Sequence, residues 1–173
     1  MSEFELSIER AFDTEALSLF NSGVREIDLL IHKRSGGLLS FIEEVPCEFY
    51  VAKVEDEPVA LFVLSDRMVT VNDEKYPSLE IDFIAVKQEW RNKGIGAHIL
   101  QLAEQNAKDA EFSFLTTAAY FGKKYSAVGF YEKCGFVRNG DKQGNTIPMF
   151  KYLDYQDVKE LEYGTQNSIN TNE

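Results

Sequence analysis

The chain has 173 residues, 44% of them apolar, which suits one globular domain with a single core. With 18 basic against 29 acidic residues its formal net charge is −11. Such a field repels polyanions, so a broad nucleic-acid surface is disfavoured, and it attracts cations such as amines. No apolar stretch approaches the ~20 residues that a membrane-spanning helix needs. The opening Met1-Ser2-Glu3-Phe4-Glu5 is acidic where a secretory leader is basic, so the expected location is the cytoplasm, with no membrane partner. Cys47 and Cys134 form no CxxC pair and His32 lies far from His98, so neither a disulfide framework nor a metal site is expected.

Phe4, Leu6 and Ile8 alternate with Glu5, Ser7 and Glu9, which predicts a half-buried first strand. Asp13 can cap a helix from about Thr14 that carries Ala16, Leu17 and Phe20 and stops at Asn21-Ser22-Gly23. A second helical pattern holds Val24, Ile27, Leu30 and Ile31, and a loop follows from Lys33 to Gly37. Cys47 to Val54 reads as a strand, Asp56-Glu57-Pro58 as a turn and Val59 to Val71 as the hairpin partner. Asn72-Asp73-Glu74 is another turn, and Leu79 to Val86 is apolar enough for a central strand. Gly94 to Lys108 is a helix with Ile95, Ile99 and Leu102 on one face. Phe112 to Thr116 is a short strand, Lys123 to Lys133 a helix, Phe136-Val137 the start of a strand, and Thr146 to Leu153 the last strand. The fold class is therefore α+β (mixed α/β): a mostly antiparallel sheet followed by a β-α-β-α-β stretch. One domain is expected over residues 1–155, with a polar, acidic tail over 156–173.

The segment Ile84-Ala85-Val86-Lys87-Gln88-Glu89-Trp90-Arg91-Asn92-Lys93-Gly94-Ile95-Gly96-Ala97 is strand, basic loop, glycines, then helix. Backbone N–H groups at a helix start bind phosphate oxygens, helped by the helix dipole. Gly94 and Gly96 let the backbone approach the phosphates, and Arg91 and Lys93 add local positive charge. A dinucleotide fingerprint requires a third glycine where Ile99 stands, and a P-loop requires Gly-Lys-Ser/Thr where Gly96 is followed by Ala97-His98. A glycine-rich helix start that binds nothing is the bland alternative.

By spacing, Arg91-x-x-Gly94-x-Gly96 resembles the pyrophosphate loop of the GCN5-related N-acetyltransferases, the GNAT superfamily. Ala127-Val128-Gly129-Phe130-Tyr131 followed by Gly135-Phe136 resembles a second segment of that family, in which Ala-x-x-Phe-Tyr lies on a helix and Gly-Phe opens the next strand. The resemblance covers roughly Cys47 to Leu153. It implies a central twisted sheet of six to seven strands flanked by about four helices, with the acetyl-CoA loop between central strand and helix. It further implies acetyl-CoA as cosubstrate, held by Ile84, Ala85 and Val86 on the strand, by Arg91, Asn92, Lys93, Gly94, Ile95, Gly96 and Ala97 around the pyrophosphate, and by Ala127 and Phe130. Many members carry Asn three residues before this alanine; here it is Lys124, which weakens one contact or replaces it with a phosphate contact. Tyr131 matches the tyrosine that protonates the departing thiolate, and a backbone N–H at Val86 would hold the oxyanion.

The amine must be neutral to attack a thioester, and an amine near pKa 10 is mostly charged at neutral pH, so a base or a water relay helps. By the period of two, Glu80, Asp82, Ile84 and Val86 share one strand face. Two carboxylates on an otherwise apolar face need a task or a partner. Glu80, six residues before Val86, matches the general base of histone-acetyltransferase-like members. Asp82 is the second choice, or binds the amine, and a salt-bridged or partly solvated acid pair at a sheet edge is the structural alternative. His98 and His32 read as solvent-facing and helix-terminal, Cys134 as a small buried residue, Trp90 as a packing anchor, and Tyr120, Phe121 and Tyr125 as core and pocket wall.

The expected enzyme acetylates a primary amine of a small molecule or peptide through direct attack in a ternary complex, with a homodimer allowed. One alternative is a toxin-type GNAT acting on aminoacyl-tRNA, suggested by Phe20-Asn21-Ser22-Gly23-Val24 before a hydrophobic helix and opposed by the acidic body. The other is a non-catalytic acetyl-CoA-binding regulatory module.

Overall fold

The structure, a computed structural model, describes residues 4–11 and 47–153. The two N-terminal helical patterns, the loop at 33–37, His32 and the tail from 154 lie outside the described residues. Among the described residues there are seven strands: β1 (Leu6–Arg10), β2 (Glu48–Val54), β3 (Glu57–Val71), β4 (Glu74–Val86), β5 (Phe114–Tyr120), β6 (Val137–Arg138) and β7 (Thr146–Tyr152). Among the described residues there are two α-helices, α1 (Ile95–Asp109) and α2 (Val128–Lys133). The strand order is β1-β2-β3-β4-β5-β7-β6, so β7 returns to lie between β5 and β6. The fold is mixed α/β, and its pairings β1–β2, β2–β3, β5–β7 and β6–β7 are antiparallel.

Two tight turns fix the hairpins. Glu55 (φ 50°) with Asp56 (φ 67°) and Asn72 (φ 51°) with Asp73 (φ 66°) are consecutive left-handed pairs, whose twist matches that of flanking antiparallel strands. Asn and Asp tolerate that region best, which explains three of the four positions. The first turn thus sits at Glu55-Asp56 rather than at Asp56-Glu57-Pro58. Pro58 is inside β3 opposite Lys53, and the β2 register shifts between Ala52 and Lys53 beside it. A residue with no N–H cannot continue a regular ladder, and an irregularity in register accommodates it.

The chain divides into two compact units. The first holds residues up to Arg67 together with Glu80–Ala103. Within it β3 is buried continuously from Val59 to Ser65, as a strand covered on both faces must be, hence its unbroken apolar run. The Tyr50 and Phe62 rings stack at 5.0 Å. The part of helix α1 in this unit buries Ile95, Ile99, Leu100 and Ala103, a helical repeat that turns Ala97, His98 and Gln101 to solvent. Leu102, expected on that buried face, is only half-buried at its margin.

The second unit holds Met68–Leu79 and the chain from Glu104 onward. β5 and β7 pair from Phe114 opposite Tyr152 to Tyr120 opposite Thr146. Val69, Val71, Phe114 and Phe150 form its core with Tyr76 and Tyr152 against them. The Phe114 ring meets Tyr76 and Tyr152 at 5.1 Å and Phe150 at 5.8 Å. Each fully buried side chain of this size contributes about 1.5–3 kcal/mol by leaving water. Lys151 reaches Glu104 at 2.6 Å, and Lys108 reaches the same carboxylate at 2.8 Å.

The expected helix over Lys123–Lys133 is shortened to α2. Gly122 N–H donates to Tyr125 O at 2.9 Å, Phe121 bridges Ser126, and Ala127 N–H donates to Tyr120 O at 2.8 Å, so residues 121–127 close a tight loop instead. Ser126 Oγ then accepts from Val128 N–H at 3.3 Å just ahead of the helix, whose N-cap is Ala127.

Candidate active site

The phosphate-loop expectation falls in the first unit. β4 ends at Val86, and Lys87 N–H donates to Val59 O at 2.9 Å, anchoring the strand end. A 3₁₀ turn over Gln88–Trp90 follows, then Asn92 (φ 60°) and Gly94 (φ +85°) reverse the chain into α1. His98 N–H donates to Gly94 O at 3.1 Å, so Gly94 precedes the helix and the N–H groups of Ile95, Gly96 and Ala97 have no carbonyl within it. A Cβ built on Gly94 meets nothing within 4 Å, so this backbone opens to space rather than to packed side chains. N–H donors left without an intrahelical acceptor at a helix start, beside open space, fit a polyphosphate.

The loop cations are held nearby. Arg91 Nε donates to Val86 O at 3.0 Å, and Lys93 Nζ lies 4.4 Å from the centroid of the Trp90 ring. Trp90 in turn packs edge-on to Phe4 at 5.9 Å, which bears out its reading as an anchor. His98 is exposed, its Nδ1 3.3 Å from Gly94 O.

The carboxylate pair lies in the same unit. Arg67 of β3 serves both acids, with Nε 3.7 Å from Glu80 Oε2 and Nη2 3.4 Å from Asp82 Oδ1. The salt-bridged alternative therefore describes the geometry, except that β4 is an inner strand and not a sheet edge. The two acids differ in access: the Asp82 side chain is 4% exposed and that of Glu80 26%. Arg67 was missed because strand pairing, not spacing, brings it to the acids; its one signal was a charged Asp66-Arg67 step within an apolar strand.

Tyr131, in the second unit, is buried on α2 between the rings of Phe130 at 5.1 Å and Phe136 at 5.3 Å. Burial pushes its phenol up to about 12, against a hydrogen bond from the Thr117 hydroxyl of β5 that favours the phenolate. Cys134 is a half-buried free thiol, raised by burial and opposed by Lys151. Lys124 is exposed, Ala127 half-buried, and Phe130 exposed at the loop-to-helix junction. Tyr120 stacks on Tyr125 at 6.0 Å, but Tyr125 and Phe121 face solvent, which corrects their assignment to core. Among the described residues no cluster of His, Cys, Asp and Glu could hold a metal ion, and no helix is long and apolar enough to cross a membrane.

This fold is the one used by acetyl-CoA-dependent N-acetyltransferases. The chain belongs to the Acetyltransferase (GNAT) family, whose profile matches residues 14–136, and acetyl-CoA is the cosubstrate of that family. It is similar to the tRNA(Met) cytidine acetyltransferase TmcA of Haemophilus influenzae, 40% identical over 63 residues, or 36% of this chain. That match spans only 9% of the relative's length. In fold it is similar to a GNAT-family acetyltransferase structure from Desulfovibrio desulfuricans, at a TM-score of 0.67 and 15% identity over 87% of this chain and 100% of the other. It is also similar to a GNAT-family acetyltransferase of Elizabethkingia anophelis with acetyl-CoA bound, at a TM-score of 0.60 and 18% identity over 86% and 98% of the two chains.

Acetyl-CoA is expected to stabilise this protein, by about 2.7 kcal/mol at ~100 times Kd. Trp90 is the sole tryptophan, so drawing Lys93 from its ring toward a phosphate should also change its fluorescence. Gly96 is helical, so Gly96→Val keeps an allowed backbone yet places a branched side chain at the phosphate approach. The variant should lose most of the thermal shift and the fluorescence change. Absence of both signals in the wild type at millimolar acetyl-CoA removes the loop as the cofactor site.

Proposed function

We propose that this protein, acting in the cytoplasm, transfers the acetyl group of acetyl-CoA to a primary amine of a small molecule or peptide by direct attack. The observation that carries this reading is the Glu80 and Asp82 pair on β4, upstream of the open loop at Gly94. The loop holds the pyrophosphate through the first N–H groups of α1, with Arg91 and Lys93 adding charge. Glu80, the more accessible acid, takes the proton from the incoming ammonium directly or through water, while Asp82 stays with Arg67. The freed lone pair attacks the thioester carbonyl, and a backbone N–H at Val86 stabilises the oxyanion. As the C–S bond breaks, Tyr131 donates a hydrogen bond to the leaving sulfur, and the remaining extra proton on the attacking nitrogen passes through water to the thiolate, giving the amide and CoA thiol.

A second acceptor class is suggested by the local identity to TmcA, a tRNA acetyltransferase by name. The net charge of −11 opposes a polyanionic acceptor. The experiment is thiol release from acetyl-CoA over a panel of monoamines, diamines, peptides and tRNA. Release with amines and not with tRNA is expected. Release with tRNA alone reverses the assignment, and cofactor binding without release on any acceptor identifies a regulatory module instead.

A further inference from the structure

The acid pair has a third member whose position carries a consequence for the acceptor. In β3, Asp66 and Met68 face solvent while Ser65 and Arg67, two residues apart, share the opposite face. One guanidinium spans two carboxylates there, at 3.7 and 3.4 Å. Both separations exceed the ~2.7–2.9 Å of a tight charge-assisted hydrogen bond. Arg67 thus gives Asp82 one long hydrogen bond and meets Glu80 through charge alone. Its Nε is buried and makes no hydrogen bond among the described residues. The same is true of Ser65 Oγ, in a residue only 3% exposed. Buried polar groups in folded proteins nearly always find partners, so Arg67 Nε, beside the two carboxylates, and Ser65 Oγ, on the same strand face, mark places that a polar occupant completes.

We propose that Arg67 sets the charge preference of the acceptor site, restraining it to amines with a single positive charge, and that Ser65 Oγ is a further contact for the incoming ammonium. The inference rests on the amine-acetyltransferase reading and deepens it. Asp82, nearly out of solvent, accepts the hydrogen bond from Arg67, and Glu80 is the more accessible acid on which an ammonium would arrive. Whatever else touches these acids, removing the guanidinium makes the site more negative by one charge. A second ammonium on the acceptor is then attracted more strongly, because a charge in a weakly screened pocket acts across several ångströms.

The test compares butylamine with butanediamine on the protein saturated with CoA, where no turnover occurs, reading Kd by thermal shift. Relative to the wild type, Arg67→Gln should move the ratio of the two affinities about tenfold toward the diamine. Arg67→Lys should restore the wild-type ratio, because it returns the charge without the planar fork. Asp82→Asn removes a negative charge and should move the ratio the other way, which keeps the test decisive if Arg67→Gln does not fold. Ser65→Ala should weaken both amines alike. A ratio that is the same in the wild type, Arg67→Gln and Asp82→Asn, or a wild type that binds neither amine, overturns the charge assignment, and a Ser65→Ala protein with wild-type affinities overturns the Ser65 contact. Thiol release separates the two proposals: amines that bind with the expected ratios yet release no thiol end the catalytic reading and leave the charge assignment standing.

Discussion

Replacing Tyr131 with phenylalanine is expected to lower turnover by about 10² while acetyl-CoA affinity stays within a few-fold. The size follows from the acidity of the group. A phenol pushed to about 12 is a weaker acid than the thiol it would produce, which lies near 8.5. Complete proton transfer to the thiolate is therefore uphill, by about 5 kcal/mol. What remains is a hydrogen bond to a sulfur that gains negative charge as it leaves, and a bond to a charged group contributes about 1.5–3 kcal/mol. The effect therefore sits at the low end of the 10²–10⁴ range for proton-transfer groups. Phenylalanine keeps the ring between Phe130 and Phe136, although the Thr117 hydroxyl loses its acceptor. Because the phenol keeps its proton well above neutral pH, the wild-type pH–rate profile should show no alkaline fall from this group below about pH 11. Full turnover in the variant makes Tyr131 a packing residue, and lost cofactor affinity assigns its hydroxyl to binding.

Replacing Glu80 with glutamine is expected to lower kcat at neutral pH by ~10² if it is the only base. Glutamine keeps the shape beside Arg67 and removes the proton acceptor. The deficit should shrink as pH rises toward the amine's own value near 10, where free amine is already present. That pH dependence separates chemistry from structure, since a packing defect would persist at every pH. A variant whose profile is parallel to the wild type's passes the role to Asp82 or to water. The 4% exposure of Asp82 favours water, which reaches Glu80 more readily.

The hairpins were legible because their turns are written in local chemistry. Asn72-Asp73 announces a left-handed pair, and the runs on either side are apolar and β-branched. The start of β4 was not: Glu74-Lys75-Tyr76-Pro77 is charged and carries a proline, and only pairing reveals it as strand ahead of Leu79. β5 was placed two residues early because Phe112 is as apolar as Phe114, although only the second reaches the core. The proposed cofactor loop stands out in the sequence because its glycines and cations are contiguous. Arg67 and Thr117 were invisible as partners of Glu80 and Tyr131, because register decides which side chains meet across strands and helices. A carboxylate pair in the sequence therefore signals a site without disclosing its charge balance.

The sheet begins and ends with brief strands: β1 has five residues and β6 two. An outer strand offers a row of unsatisfied backbone donors and acceptors on which another molecule can template itself. Here that row is short at either margin, and β1 interrupts it with charge, with Glu9 tied to Lys53 at 2.7 Å and Arg10 to Glu48 at 2.9 Å. Together with the mutual repulsion of molecules carrying −11 each, this gives the described sheet resistance to edge-to-edge polymerisation at high concentration.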